Sequence, residues 1–259
     1  MRNYDQYTKQ LLTIAQKNHT DAYNALGAFL DYLLDTFEMK NITKFALDYE
    51  KVFLDARKRD ADYFALMCSW FVEVIHEMEN EQGWLDFFGK VYEETFKSKS
   101  KASALGQFYT PDSICDLMAD MTIKGEFETA NDCACGSGRT MLALFAKSDK
   151  TQYHYYTAGD IDLISVKMCA LNFMVHGMIG EVKQQDALLQ STPHVIYKIN
   201  EVRCPFPTPF YSIRLVSGNE IKNKKPISNG DKSMNIADIT AGKENKKKKT
   251  ESLQLTLDF

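Results

Sequence analysis

The sequence predicts an α/β protein: a helical N-terminal region, then a doubly wound parallel sheet, then a disordered C-terminal tail. Three observations carry this. Before Gly83 the chain holds one glycine, Gly27, and no proline, while apolar residues recur at helical spacing. From Gly106 onward, β-prone and helix-prone segments alternate and glycines punctuate the turns, as crossover-linked parallel strands require. From 217 to 252 the chain is rich in Lys, Asn, Ser and Gly, has no aromatic residue, and cannot bury a core. The expected boundaries are 1–103, 104–216 and 217–259.

Composition narrows the function classes. An apolar content of 44% over 259 residues supports a real core. A net charge of −4 gives no global basic field, so any contact with nucleic acid is local. The six cysteines, Cys68, Cys115, Cys133, Cys135, Cys169 and Cys204, include no CxxC pair, which argues against zinc and against a disulfide scaffold. Five of them sit among apolar or small residues, as expected of buried thiols in a reducing cytoplasm. No N-terminal apolar segment and no run of 18 apolar residues occurs, so a cytoplasmic protein with no membrane span is expected.

The elements follow in order. Leu11, Leu12 and Ala15, then Ala25, Phe29, Tyr32, Leu33 and Phe37, then Phe64, Met67, Cys68, Phe71, Val72 and Ile75 mark apolar helix faces, and 84–96 reads as a further helix. The basic stretch 97–103 is a polar hinge. Pro111 and Asp112 open a helix over 113–121. A strand ends near 126–130, and a helix runs over 141–147. A second strand covers 154–158, a helix 163–176, a third strand 180–185, and a fourth 195–199. His176 is placed to cap its helix, a structural role.

Candidate site residues cluster at the strand ends. Asp132–Cys133–Ala134–Cys135–Gly136–Ser137–Gly138 joins the first strand to a helix start, where Gly136 and Gly138 permit a tight turn and expose main-chain N–H groups to a ligand. Asp132 can take a ligand hydroxyl or ammonium. Asp160, after the second strand, stands where an acid can grip both ribose hydroxyls of a nucleoside. Asp186, after the third strand, can accept from an exocyclic amino group. Three acids at three strand ends make a nucleoside pocket. The competing account makes this an ordinary strand-to-helix turn with two of the acids as helix caps, a role that Asp162 also fits.

With these residues in view the chain resembles the adenine-N6 DNA methyltransferases, above all the modification subunits of type I restriction systems. Asp132 to Gly138 is similar to that family's S-adenosyl-L-methionine loop. Asp86–Phe87–Phe88–Gly89–Lys90–Val91–Tyr92–Glu93 resembles the segment closing its helical region, and Gly106–Gln107–Phe108–Tyr109–Thr110–Pro111 its N-terminal cofactor motif. Gly159–Asp160–Ile161–Asp162 resembles its ribose-binding acid motif, Asn172 to Gly177 the usual continuation, and Gln185–Asp186–Ala187–Leu188 its adenine-contacting acid. The resemblance covers about residues 80 to 190 and implies a Rossmann-like methyltransferase sheet, S-adenosyl-L-methionine as cofactor and DNA as substrate. It places Gln107, Phe108, Tyr109, Thr110, Asp132, Ala134, Cys135, Gly136, Ser137, Gly138, Asp160, Ile161, Asp186 and Ala187 around the cofactor. Phe108 and Tyr109 would lie against its adenine or sulfonium.

One part of the family pattern is missing. The catalytic motif is Asn or Asp, then Pro-Pro, then Tyr or Phe; its polar groups orient the target amino group and its aromatic ring stacks on the flipped base. This sequence has no Pro-Pro. The candidate substitutes are Asn200, after the fourth strand, and Thr208, Pro209 and Tyr211. Related enzymes also continue for several more strands, so a truncated sheet is expected, and with it a second methyltransferase or specificity subunit as partner. Gln254, Leu255, Leu257 and Phe259 resemble the peptide by which bacterial proteins bind the sliding clamp. That makes a non-catalytic accessory, tethered to the clamp, the alternative function; the competing account pairs this peptide with the protein's own sheet edge.

Overall fold

The computed structural model describes residues 4–38, 49–80, 83–96, 109–123, 129–189, 192–201 and 212–216. Among them are eight helices, α1 (Asp5–Lys17), α2 (Ala22–Phe37), α3 (Tyr49–Arg59), α4 (Ala61–Met78), α5 (Phe87–Phe96), α6 (Asp112–Thr122), α7 (Arg139–Lys147) and α8 (Leu163–Val175). Five strands, β1 (Thr129–Asp132), β2 (Tyr155–Asp160), β3 (Gly180–Gln184), β4 (Val195–Ile199) and β5 (Ile213–Leu215), form one sheet in the order β1-β2-β3-β4-β5. The α/β class and the succession of a helical region and a sheet agree with the sequence reading.

Local chemistry fixes the helix starts. The Asp21 carboxylate accepts from the Asn24 N–H at 2.9 Å, and Asp60 accepts from Asp62 and Tyr63 at 2.9 Å each. Asp162 caps α8 by accepting from Ser165 at 2.9 Å. Helices α1, α2, α4 and α5 meet around aromatic side chains. Trp70, fully buried, lies 5.1 Å from Phe88 and 6.5 Å from Phe37 between ring centroids. The buried face of α4 is Tyr63, Leu66, Met67, Trp70 and Val74, so the expected face needs correction: Val72 is 67% and Ile75 43% exposed. Helix α4 is apolar nearly all round, and periodicity alone could not choose its inward side.

The helical region and the sheet share one core. Twelve of the thirteen residues of α8 are buried. It packs on β2, β3 and β4 on one side and against α2 and α5 on the other. Strands β1, β2 and β3 are parallel, with Asp132 beside Ala158 and Asp160 beside Gln184, so their carboxyl ends emerge along one edge. Gly180 lets β3 come against β2, for a Cβ there would lie 1.8 Å from the Tyr156 carbonyl oxygen.

Strands β4 and β5 are antiparallel to their neighbours, unlike the all-parallel sheet expected. The reason is length. Residues 185–194 are too few for the helical crossover that a parallel return needs, so β4 comes back antiparallel. Strand β5 was not anticipated; it pairs with β4 and makes a single bridge from Ile213 to Glu38 after α2. The cysteine expectation also needs correction: Cys115, Cys135 and Cys169 are buried, but Cys68 and Cys133 are exposed. The expected boundary at 103 lies outside the described residues, as do Gln107, Phe108, Thr208, Pro209, Tyr211 and the peptide of Gln254, Leu255, Leu257 and Phe259.

Candidate functional site

At the carboxyl ends of β1 and β2 a cleft of about 240 Å³ opens beside the turn into α7. Its walls include Asp132, Ala134, Cys135, Gly136, Ser137 and Asp160, together with Tyr109 and Thr110 from the segment that precedes α6. Eight of the residues singled out in the sequence therefore meet at one cavity. Gly138 stands behind it at the start of α7. Ile161, 67% exposed, and the Asp186–Ala187 turn lie outside its lining.

The two aspartates brace the loop. Asp132 Oδ1 accepts from the Ala134 N–H at 3.1 Å and Oδ2 from the Thr140 hydroxyl at 2.6 Å. Asp160 Oδ2 accepts from the Gly136 N–H at 2.9 Å, reaching across from β2 to the turn after β1, and its Oδ1 accepts from Asp162 at 2.9 Å. Each of these oxygens has a second lone pair for a ligand hydroxyl or ammonium. Gly136 has a φ of +54° with no atom within 4 Å of where a Cβ would stand, whereas Gly138, at φ +90°, backs onto Cys169, whose Sγ would lie 2.8 Å from a Cβ. The first glycine leaves the cleft open, and the second lets the loop sit down on α8. No side chain caps α7. Its first N–H groups, with the positive end of the helix dipole, are thus left for an anionic group.

Asp186 behaves differently. Its Oδ1 accepts from Leu188 at 2.9 Å and Leu189 at 3.0 Å, closing its own turn. Asn200 is 5% exposed with φ +50°, and its side-chain amide donates to the Met174 and Met178 carbonyls at 3.0 and 2.9 Å. Its Oδ1 accepts from the Ser212 N–H at 2.9 Å. Because β4 runs antiparallel, Asn200 emerges beside the start of β3, at the opposite end of the sheet from the cleft. As a substitute for the missing catalytic Asn it is therefore misplaced, and its polar atoms are already engaged.

Sequence reasoning gave no role to the groups that support the loop from behind. Asp86, fully buried before α5, accepts from the Ser137 hydroxyl at 2.5 Å, Arg139 Nε at 3.0 Å, Asn172 Nδ2 at 2.8 Å and the Gly89 N–H at 2.9 Å. Arg139 also donates to the Thr110 carbonyl at 3.0 Å and to Glu93 at 2.9 Å, and its guanidinium lies 5.3 Å from the centre of the Tyr109 ring. Burial opposes the charge on Arg139, but Asp86, Glu93 and Asp112 outweigh it and hold its pKa above the ordinary value. Burial, then the charge of Asp86, pushes the Tyr109 phenol up, so it stays protonated. The signal was present in the seven-residue spacing of Asp86 and Glu93, which puts Glu93 on the side of α5 that lies below Asp86 at the helix start.

His176, 2% exposed, accepts from the Leu85 N–H through Nε2 at 3.1 Å, so its Nδ1 carries the proton given to the Asn172 carbonyl at 2.7 Å. Burial lowers its pKa to about 4. Among the described residues, no group of three His, Cys, Asp or Glu side chains is placed to hold a metal ion. No helix among them is long and apolar enough to cross a membrane.

Comparison with curated protein sequences gives no match. Among solved structures, the chain is similar to the type I restriction-modification system methyltransferase subunit from Streptococcus thermophilus, at 15% identity and a TM-score of 0.32. The alignment covers 72% of this chain and 52% of that one, so this chain spans about half the length of the subunit. The model of the N-6 DNA methylase family matches residues 84–240, well over half of the 259 residues, and takes in the cleft, its bracing acids and the Asp86 segment. The chain belongs to the N-6 DNA methylase family.

Proposed function

We propose that the cleft binds S-adenosyl-L-methionine and that the chain serves methyl transfer to N6 of adenine in DNA, together with a second subunit that holds the target base. The observation that carries this reading is the pair of strand-end carboxylates, Asp132 and Asp160, each bonded to an amide of the glycine turn. The donor has two cationic centres, a carboxylate and a ribose diol, and the residues present fit it. Asp160 would hold the diol, Asp132 the ammonium, and the uncapped start of α7 the carboxylate. Tyr109 presents an aromatic wall that stays neutral. When bound, the donor supplies an electrophilic methyl group on sulfur; the chain's part is to hold and orient it and to brace the loop around it.

The partner is inferred from what the sequence lacks. With no Pro-Pro in the chain and Asn200 committed to main-chain carbonyls, the groups that would orient an adenine amino nitrogen come from elsewhere. The same two facts favour a second reading, a cofactor-binding accessory without catalysis of its own.

Calorimetric titration with S-adenosyl-L-methionine tests the donor reading. Saturable binding is expected, and Asp160→Ala should weaken it about 100-fold, near 3 kcal/mol, through loss of charge-assisted bonds to the diol and of the bond to Gly136. No saturable binding by the native chain overturns the reading. Incorporation of labelled methyl into unmethylated DNA then separates an enzyme from an accessory.

A further inference from the structure

Asp86 does not itself line the cleft, yet it receives four hydrogen bonds, two of them from residues that do, Ser137 and Arg139. Two of its partners, Ser137 and Arg139, belong to the turn and to the first residue of α7. A third, Asn172, also donates to the Ser137 carbonyl at 2.9 Å. Arg139 in turn fixes Thr110 and stacks beside Tyr109, the two described residues on the other wall. Both walls of the cleft are thus tied to one carboxylate carried by the helical region.

Gly89 shows how closely this is built. A Cβ there would lie 1.9 Å from Asp86 Oδ2 and 2.7 Å from Ser137 Oγ. Glycine is a poor helix residue, and at this first turn of α5 it keeps open the space in which the carboxylate and the hydroxyl meet.

We propose that Asp86 is the positioning residue of the donor site, and that Gly89 is the residue that admits it. By holding Ser137 and Arg139 it sets the loop amides and the Tyr109–Thr110 wall at the spacing a donor needs, so donor affinity depends on a side chain 51 residues before the loop serine. This rests on the reading of the cleft as a donor site.

Gly89→Ala is the sharpest test, because helix propensity and the carboxylate network predict opposite outcomes. Propensity alone predicts a slightly more stable helix with the cleft unchanged. Displacement of Asp86 predicts a donor affinity at least 10-fold lower, together with faster NMR-monitored amide exchange, also at least 10-fold, at Cys135, Gly136 and Gly138 in donor-free protein. Exchange in α2 and β2 should stay as in the native chain. Ser137→Ala, which removes one arm and leaves the Arg139 pair, should give a smaller, roughly 3- to 10-fold loss of affinity and serves if Gly89→Ala does not fold. Native loop exchange in these variants overturns the positioning role. Failure of the native chain to bind donor, with the loop still loosened by Gly89→Ala, overturns the donor reading and leaves Asp86 as the brace of the loop.

Discussion

The two ends of the sheet are both rich in buried or half-buried polar groups, and they use them in opposite ways. At the end away from the cleft, Asn200 and His176 close the turn between α8 and β3. Asn200 takes both carbonyls that flank this turn, and His176 takes the Leu85 N–H and the Asn172 carbonyl. Each polar atom there is matched to the main chain, which is what a buried joint requires. At the cleft end, Asp132 and Asp160 also bond main-chain amides, but their carboxylates keep accepting capacity and both residues line the open cleft. The contrast separates architecture from binding better than residue type does, since an Asn at a strand end looks equally suggestive in either place.

Substitutions at the far end should therefore change stability and leave donor affinity alone. The largest effect is expected for Asn200→Ala, which strands the Met178 carbonyl and the Ser212 N–H and leaves the Met174 carbonyl only its bond from the Gly177 N–H; a loss of about 3 kcal/mol in denaturant unfolding is expected, with donor affinity within twofold of native. A fall in affinity at unchanged stability would dissolve the distinction between the two ends. His176 sharpens it through pH. Burial leaves the folded ring with a pKa of about 4 against 6.5 for the exposed side chain, so the unfolded chain binds the extra proton as pH falls. Stability should drop by about 2 kcal/mol from pH 7 to pH 5, and His176→Gln should flatten that slope. Asp186→Ala should have the smallest effect, about 1 kcal/mol from the lost turn bonds to Leu188 and Leu189, with donor affinity changed no more than about threefold. A larger loss of affinity would bring the third strand end into the site.

Much of this was legible in the sequence. Gly136 and Gly138 follow β1 and Asp160 ends β2 at spacings fixed by strand and turn geometry, so their convergence could be read from local pattern. The direction of β4 could not, because it depends on which edge the returning chain finds and on the short link before it. Asn200 was misjudged for that reason. The inward face of α4 was lost in a helix with apolar residues on every side. The Asp86 network was hidden because its members are spread over 87 residues of chain, from Asp86 to Asn172, and a one-dimensional reading sees only the local pair of Asp86, just before α5, and Glu93 within it.

Helix α8 carries a practical consequence. Its apolar surface faces both the strands and the N-terminal helices, so neither set of elements alone can cover it. A chain shortened to start at residue 104 would present α8 to water along one whole side and would lose Asp86 and Leu85 as well. Such a fragment is expected to precipitate or to need detergent, and expressing the cleft without its leading hundred residues is a poor route to a minimal binding unit.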